Sequence, residues 1–414
     1  MQTISVSKAT PGMVLDREVV NKDGRRLFDT GIELSEKMIR TLKMWGILEV
    51  TIQGYDIPID PSCKGLPTGQ SASYHEETKA ILKRHFRHND LENTVVKKIF
   101  DLRLERMVTH TEELALPFDD QKKICIKPDI SDHYSAEDIG SLLTDEVKLP
   151  SLPTIFAEIN QAIQNPKCSG KDIADIVSKD PSLSATLLRI VNSATYGFNE
   201  RVESLTYAAM ALGTQQVCSL ALGITMINYF KGIPGDHINM QSFWRHSVAC
   251  GLTAKLLAFH VEKVNAERVF IGGLLHDIGQ LIFLCYCPKT IGKAFAQAGK
   301  LGLSLHQVEP KYFKMTHAGF GSLMADKWNF SKHISDLIRH HHDDFKAKPP
   351  GEIAIIHFSN WLVNAMGIRS SGRYNLPRLN INVWQALGIS HSVLEQVIRQ
   401  LDRQLTEAIQ FFYE

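Results

Sequence analysis

From about Ile139 to the C-terminus the apolar residues recur every three or four positions almost without a break, and no stretch alternates with period two. A 3.6-residue period buries one face of a helix and neither face of a strand, so this part of the chain is restricted to packed helices. Its punctuation agrees. Pro153, Asp180-Pro181 and Ser204 stand where helices begin, Ser169 with Asp172 has the form of a capping box, and Gly197, Gly213 and Gly232 fall where helices can stop. The two most apolar segments, Leu205–Phe230 and Val269–Cys287, are interrupted by Gln215-Gln216 and by His276-Asp277, and we read each as a buried helix and not a membrane span.

The chain before residue 139 is organised differently. Met13-Val14-Leu15 and Arg26-Leu27-Phe28 flank an Asn21–Gly24 turn and suggest a hairpin; Ser35–Trp45 reads as a helix capped by Ser35, with Met38, Ile39 and Leu42 inward; Leu48–Ile52 closes as a strand. Gly54–Ser73, rich in Pro, Gly and Ser, is a linker, and Tyr74–His110 is helical in period but holds no sustained heptad, which favours a connecting helical hairpin over a coiled coil. The expected architecture is mainly α: a small α+β module over 1–55, a linker and helical connector over 56–138, and an all-helical domain over 139–414.

Composition narrows the setting. With 46 Lys and Arg against 45 Asp and Glu there is no electrostatic case for a nucleic acid or an anionic membrane as partner. The seven cysteines are scattered without a CxxC pair, and Met1–Pro11 lacks a signal-peptide pattern, so a cytoplasmic protein is expected.

Ten of the 17 histidines lie between His246 and His357. His246 sits in the stripe Phe243, Cys250, Thr253, Leu257; His276 and Asp277 are adjacent inside an apolar segment; His317 shares a face with Phe320, Gly321 and Met324. Ile334, Leu337 and Ile338 select His341 and His342 over His340 as inward, and Asn360 lies in the stripe Ile353, Ile356, Val363. A single histidine on an apolar face is more often a hydrogen-bonded core residue than a ligand. Five successive helices that each aim a polar group inward favour one convergent site, because separate burials would each need separate partners. His260, His306, His333 and His357 lack such a stripe and read as ordinary. No G-x-S-x-G elbow, Walker loop or G-x-G-x-x-G after a strand offers another chemistry.

Several runs then become familiar: Ser151-Leu152-Pro153, Asp180-Pro181-Ser182-Leu183-Ser184 running into Leu187–Ala194, Ser204-Leu205 to Gly213, and Gly273-Leu274-Leu275-His276-Asp277-Ile278-Gly279. Together, over Ile139–Phe412, they resemble the HDOD domain of bacterial signalling proteins, relatives of HD-type metal-dependent phosphohydrolases. Ala9–Val50, with Pro11-Gly12-Met13-Val14-Leu15 and Gly31-Ile32-Glu33-Leu34, is similar to the small module preceding many HD-GYP cyclic-dinucleotide phosphodiesterases.

The resemblance implies metal ligands at His246, His276 and Asp277, with Asn360 where the last aspartate of active HD enzymes stands, and matches His317, His341 and His342 to the additional histidines of HD-GYP proteins. Gln280 departs from a lysine, Asp343 from a glutamate, and no G-Y-P follows. A neutral amide at 360 binds a hard cation less well than a carboxylate and cannot take a proton from bound water. The resemblance therefore implies a signal-transduction or regulatory protein without catalysis, binding a divalent metal (iron, manganese or magnesium) or a nucleotide second messenger, with a signalling protein as the other candidate partner. The alternative is a working metal-dependent phosphohydrolase or cyclic-dinucleotide phosphodiesterase.

Overall fold

The structure is a computed structural model that describes residues 2–5, 11–20, 26–35, 38–39, 42, 49–52, 68–109, 152–193, 196, 198, 200–230, 238–370 and 376–413. It separates into two units, Met1–Ala72 and Ser73–Glu414. The expected boundaries near 55 and 139, and the helix stops at Gly197 and Gly232, lie outside the described residues.

In the first unit β1 (Gln2–Ser5) pairs antiparallel with β4 (Glu49–Ile52), and β2 (Val19–Val20) pairs with β3 (Arg26–Phe28). The hairpin arm is therefore Val19–Val20, while Val14 and Leu15 make single bridges to Glu33 and Ile52. The expectation that Met13–Leu15 forms that arm is corrected: Leu15, fully buried beside Leu34, Leu42, Val50 and Ile52, belongs to the small core instead. The Ser35 hydroxyl accepts the Met38 N–H, as a helix cap should.

The second unit is helical throughout its described residues, as the period requires. It begins within α1 (Thr68–His85), which belongs to it from Ser73 on, and continues with α2 (Thr94–Thr109). Then come α3 (Thr154–Gln164), α4 (Gly170–Val177), α5 (Pro181–Val191), α6 (Leu205–Leu212) and α7 (Thr214–Tyr229). The capping box at Ser169, the Asp180 cap and the Ser204 cap all form, and Gly213, at φ 95°, separates α6 from α7 within the segment read as one helix. The central elements are α8 (Met240–Ala258), α9 (Ala266–Leu275) and α10 (Ile278–Tyr286). After them run α11 (Pro288–Leu301), α12 (Leu305–Phe313), α13 (His317–Lys327), α14 (Lys332–His340), α15 (Gly351–Ala365), α16 (Ile381–Leu387) and α17 (Val393–Tyr413). Leu82 of α1, Phe86 just past its end, and Ile99 and Phe100 of α2 share one core with α8, α9 and α15, so the pair is part of the body and not a free connector.

The expected continuous helix over Val269–Cys287 is broken at His276-Asp277, where Asp277 turns to φ −95°, ψ 10°. Neighbours on a regular helix point about 100° apart and cannot address one place; the break lets both side chains do so. Ala266–Tyr286 has the length and apolarity of a membrane span, yet 89% of its apolar 18-residue window is buried inside the protein. Glycines bring the central backbones together: a Cβ on Gly273 would lie 2.8 Å from the Gly251 backbone, and one on Gly279 would overlap the His317 carbonyl.

Candidate metal centre

Asp277, released from the helix by that break, is surrounded by imidazoles. His317 Nε2 lies 3.1 Å and His341 Nε2 3.5 Å from Asp277 Oδ1, and the two nitrogens are 3.3 Å apart. On the other carboxylate oxygen, His276 Nε2 lies 3.4 Å and His246 Nε2 3.9 Å from Oδ2. All five side chains are at most 4% exposed.

The opposite edge of every ring is tied down. His246 Nδ1–H donates to the Ile368 carbonyl at 2.8 Å, His276 to Gly273 at 2.7 Å and His341 to Ile338 at 2.6 Å. His317 Nδ1–H donates to the carboxylate of Glu309, 2.7 Å away, which also accepts the His317 backbone N–H at 2.9 Å. These bonds fix the tautomer and leave Nε2 as the inward atom on each ring. His276 Nε2 has no hydrogen-bond partner, an expensive state for a buried polar atom unless something else binds it.

Proton affinities diverge inside this cluster. Burial pushes the pKa of His246 down to about 4 and that of His341 down to about 3. Burial also opposes charge on His317, but Glu309 and Asp277 outweigh it and hold its pKa up at about 10. Asp277 goes the other way: burial favours its neutral form, yet His276, His317 and His341 keep the carboxyl well below its ordinary value. The Cys250 thiol, kept protonated by burial, sits 3.5 Å from His246 Nε2 and donates to it.

A metal fits this donor set. Donors bound at about 2.1 Å and separated by right to tetrahedral angles are about 3.0–3.4 Å apart, the spacing found around Asp277 Oδ1. Two donor groups present themselves, Asp277 with His317, His341 and His342, and His246 with Cys250 and His276. His342 is half-buried, its ring 4.1 Å from His341 and stacked at 4.2 Å on His306, while His340 turns away to Asp343. Asn360 lies against His246 and its Oδ1 accepts from Asn364 Nδ2 at 2.7 Å.

Four residues of the site escaped the stripe argument. Glu309 is fully buried, and it sits on the inward face of α12 with Leu305 and Phe313; a charge on an apolar stripe was the signal that could have found it. His306 and His357, read as ordinary, line the cleft above the cluster, a cavity of about 220 Å³. His85 of α1 lines it too, accepting from Arg369 Nη2 at 2.8 Å and donating to the Asn364 carbonyl.

Residues 149–344 match the HDOD domain family. The match includes His246, His276, Asp277, His317, His341 and His342 and ends before Asn360. An uncharacterised protein of Treponema pallidum (strain Nichols) is 26% identical over 200 residues, 47% of this chain; the chain spans 38% of that relative's length. Among solved structures, an HDOD domain protein of unknown function from Geobacter sulfurreducens superposes with TM-score 0.57 at 21% identity, covering 67% of this chain and 98% of that one. A candidate signal transduction protein from Marinobacter aquaeolei VT8 superposes with TM-score 0.54 at 19% identity, over 70% of this chain and 68% of that one. At these identities the likeness establishes the fold, and the family match places an HDOD domain over residues 149–344, with the histidine–aspartate cluster inside that range.

Proposed function

We propose that this protein is regulatory, and that its HDOD domain holds a divalent metal without hydrolysing phosphodiesters. The observation that carries the reading is the set of four buried imidazoles, each tied at Nδ1 and turned with Nε2 toward one carboxylate. His317, His341 and Asp277 Oδ1 would hold an ion on one side, with His342 beside them, and His246, His276 and Asp277 Oδ2 would offer a second position. A bound ion would supply Lewis-acid charge. Imidazole-rich donors suit iron or manganese better than magnesium, which prefers oxygen ligands.

Asn360 is the reason for placing the protein among regulators. Its Oδ1 is already engaged by Asn364, it adds no negative charge, and it cannot accept a proton from water. The relative from Marinobacter, described as a candidate for signal transduction, supports a regulatory role. A nucleotide second messenger in the cleft or a signalling protein at the surface would be the partner.

The phosphohydrolase reading has one observation in its favour: the cleft runs from the cluster to Arg369 and Arg378, cations beside which a phosphoryl group would be stabilised. One experiment separates the two. Metal content and metal-dependent cyclic-dinucleotide turnover are measured on protein purified without chelator. Stoichiometric manganese or iron without turnover is expected; a metal-free protein defeats both readings, and robust turnover selects the enzyme.

A further inference from the structure

Cys250 follows His246 by one turn of α8, so both side chains leave the same face of the helix. Gly273 of α9 packs on the Cys250–Gly251 backbone, where its Cβ would lie 2.8–2.9 Å away, and His276 stands one turn further along. That close approach gathers one ligand atom from each of His246, Cys250 and His276 within 4.8 Å of one another. Asp277 Oδ2 joins them, 3.4 Å from His276 Nε2 and 3.9 Å from His246 Nε2. None of the four residues is more than 3% exposed, and the buried His276 Nε2 is left without a hydrogen-bond partner.

We infer that Cys250 is a metal ligand, and that His246, Cys250, His276 and Asp277 Oδ2 form a four-donor position of zinc class, different in its choice of ion from the position at His317 and His341. The inference rests on the reading that the cluster holds metal, and it names the donor that reading left out. A sulfur bound at about 2.3 Å and a nitrogen bound at about 2.0–2.1 Å at a tetrahedral angle lie about 3.5–3.6 Å apart. Cys250 Sγ and His246 Nε2 are 3.5 Å apart. A thiolate is a soft donor, which manganese and magnesium avoid and zinc accepts beside imidazole and carboxylate. Asn360, the other polar group against His246, has its Oδ1 engaged by Asn364 and does not compete for the ion. On binding, the thiol proton passes to solvent and the electron pair that held it bonds the ion; His246 Nε2, freed from the S–H hydrogen bond, turns its own lone pair to the same ion, and nothing is oxidised or reduced.

Cobalt(II), a coloured substitute for zinc, is the probe, titrated into the full chain after removal of metal by chelator and dialysis. Saturable binding with a sulfur-to-cobalt charge-transfer band in the near ultraviolet is expected. Cys250→Ser should lose that band, while Cys285→Ser, at the exposed cysteine of α10, should keep it. Zinc affinity should fall in Cys250→Ser by more than about 100-fold, the upper range for a residue that only supports a ligand from behind. Visible cobalt bands without the sulfur band, or a sulfur band that survives Cys250→Ser, overturn the inference and leave the metal reading standing. No cobalt uptake at all overturns the metal reading and the inference with it. Should Cys250→Ser not fold, X-ray absorption at cobalt in the natural protein decides: a sulfur neighbour at about 2.3 Å is expected, and nitrogen and oxygen neighbours alone defeat the assignment.

Discussion

Replacing Glu309 by Gln removes the carboxylate beneath His317 and changes how a metal competes with protons. With the His317 pKa at about 10, an ion entering at pH 7 displaces a proton at a cost of about three decades in apparent affinity, or about 4 kcal/mol. The sign follows from the direction of the shift: affinity climbs as pH rises toward 10, by about one decade per pH unit. In Glu309→Gln the burial of His317 is left less opposed, and its pKa should fall toward those of His246, about 4, and His341, about 3, which have carbonyls and not a carboxylate at Nδ1. The proton penalty at pH 7 then disappears, while a less basic ligand loses about 10–100-fold in affinity. The lost penalty outweighs the lost basicity, so the variant should bind about 10–100-fold more tightly at pH 7, and the profile is the second readout: manganese affinity, measured by chelator competition in steps from about pH 6 to 9, should rise steadily in the natural protein and flatten above about pH 7 in the variant. Equal slopes in the two proteins would refute the assignment of Glu309 as the group that holds the His317 proton.

Asn360→Asp should raise manganese affinity by about tenfold or more, because it adds a charge beside His246 within reach of the donor set; calorimetric titration of the two proteins checks it, and unchanged affinity removes Asn360 from the site. Acid should unfold the protein early. His85, His246, His306, His341 and His357 have folded pKa values of about 3, 4, 4, 3 and 4, below the ordinary 6.5, so the unfolded chain takes up protons first. The stability they withhold from the protonated state is intact above pH 6.5 and lost as pH falls, at up to about 1.4 kcal/mol per pH unit for each. Against a total of about 5–15 kcal/mol, an unfolding midpoint between about pH 4 and 6 by circular dichroism is expected, and a protein still native below that range contradicts it. Manganese at about a hundredfold over its Kd should stabilise the second unit by about 2.7 kcal/mol in calorimetry, an increment abolished by chelator. Gly279→Ala should cost about 1–3 kcal/mol in urea unfolding, since its methyl would meet the His317 carbonyl; a neutral substitution would mean that α10 and α13 do not approach as described.

Much of this was legible in the residues because it is local. The caps at Ser169, Asp180 and Ser204 and the inward faces of α8, α13, α14 and α15 follow from spacing alone, and that spacing picked out His341 and set His340 aside. What spacing cannot supply is pairing between distant segments. Strand β1 went unread because its partner is Glu49–Ile52, at the far end of the module, and His85 because Arg369 and Asn364 lie almost a chain length away. The break at His276-Asp277 was hidden for another reason: periodicity sees an unbroken apolar run, and only the demand that two adjacent polar groups reach one place reveals the turn. His306 and His357 sit at the cleft wall with one face toward solvent space, so no stripe marks them.

The docking of α1 and α2 sets a schedule for the chain as it leaves the ribosome. Asn89 donates to the carbonyls of Leu376 and Pro377, Lys98 pairs with Glu395, and Arg106 pairs with Asp402 at 2.6 Å. Each partner is made after nearly the whole helical body has been synthesised, so the pair cannot make these contacts for that interval. At about 5–20 residues per second the wait is tens of seconds, long compared with the microseconds in which such helices form and collapse. Docking of α1 and α2 therefore comes late in the order of folding events, after residues 376–402 have been made.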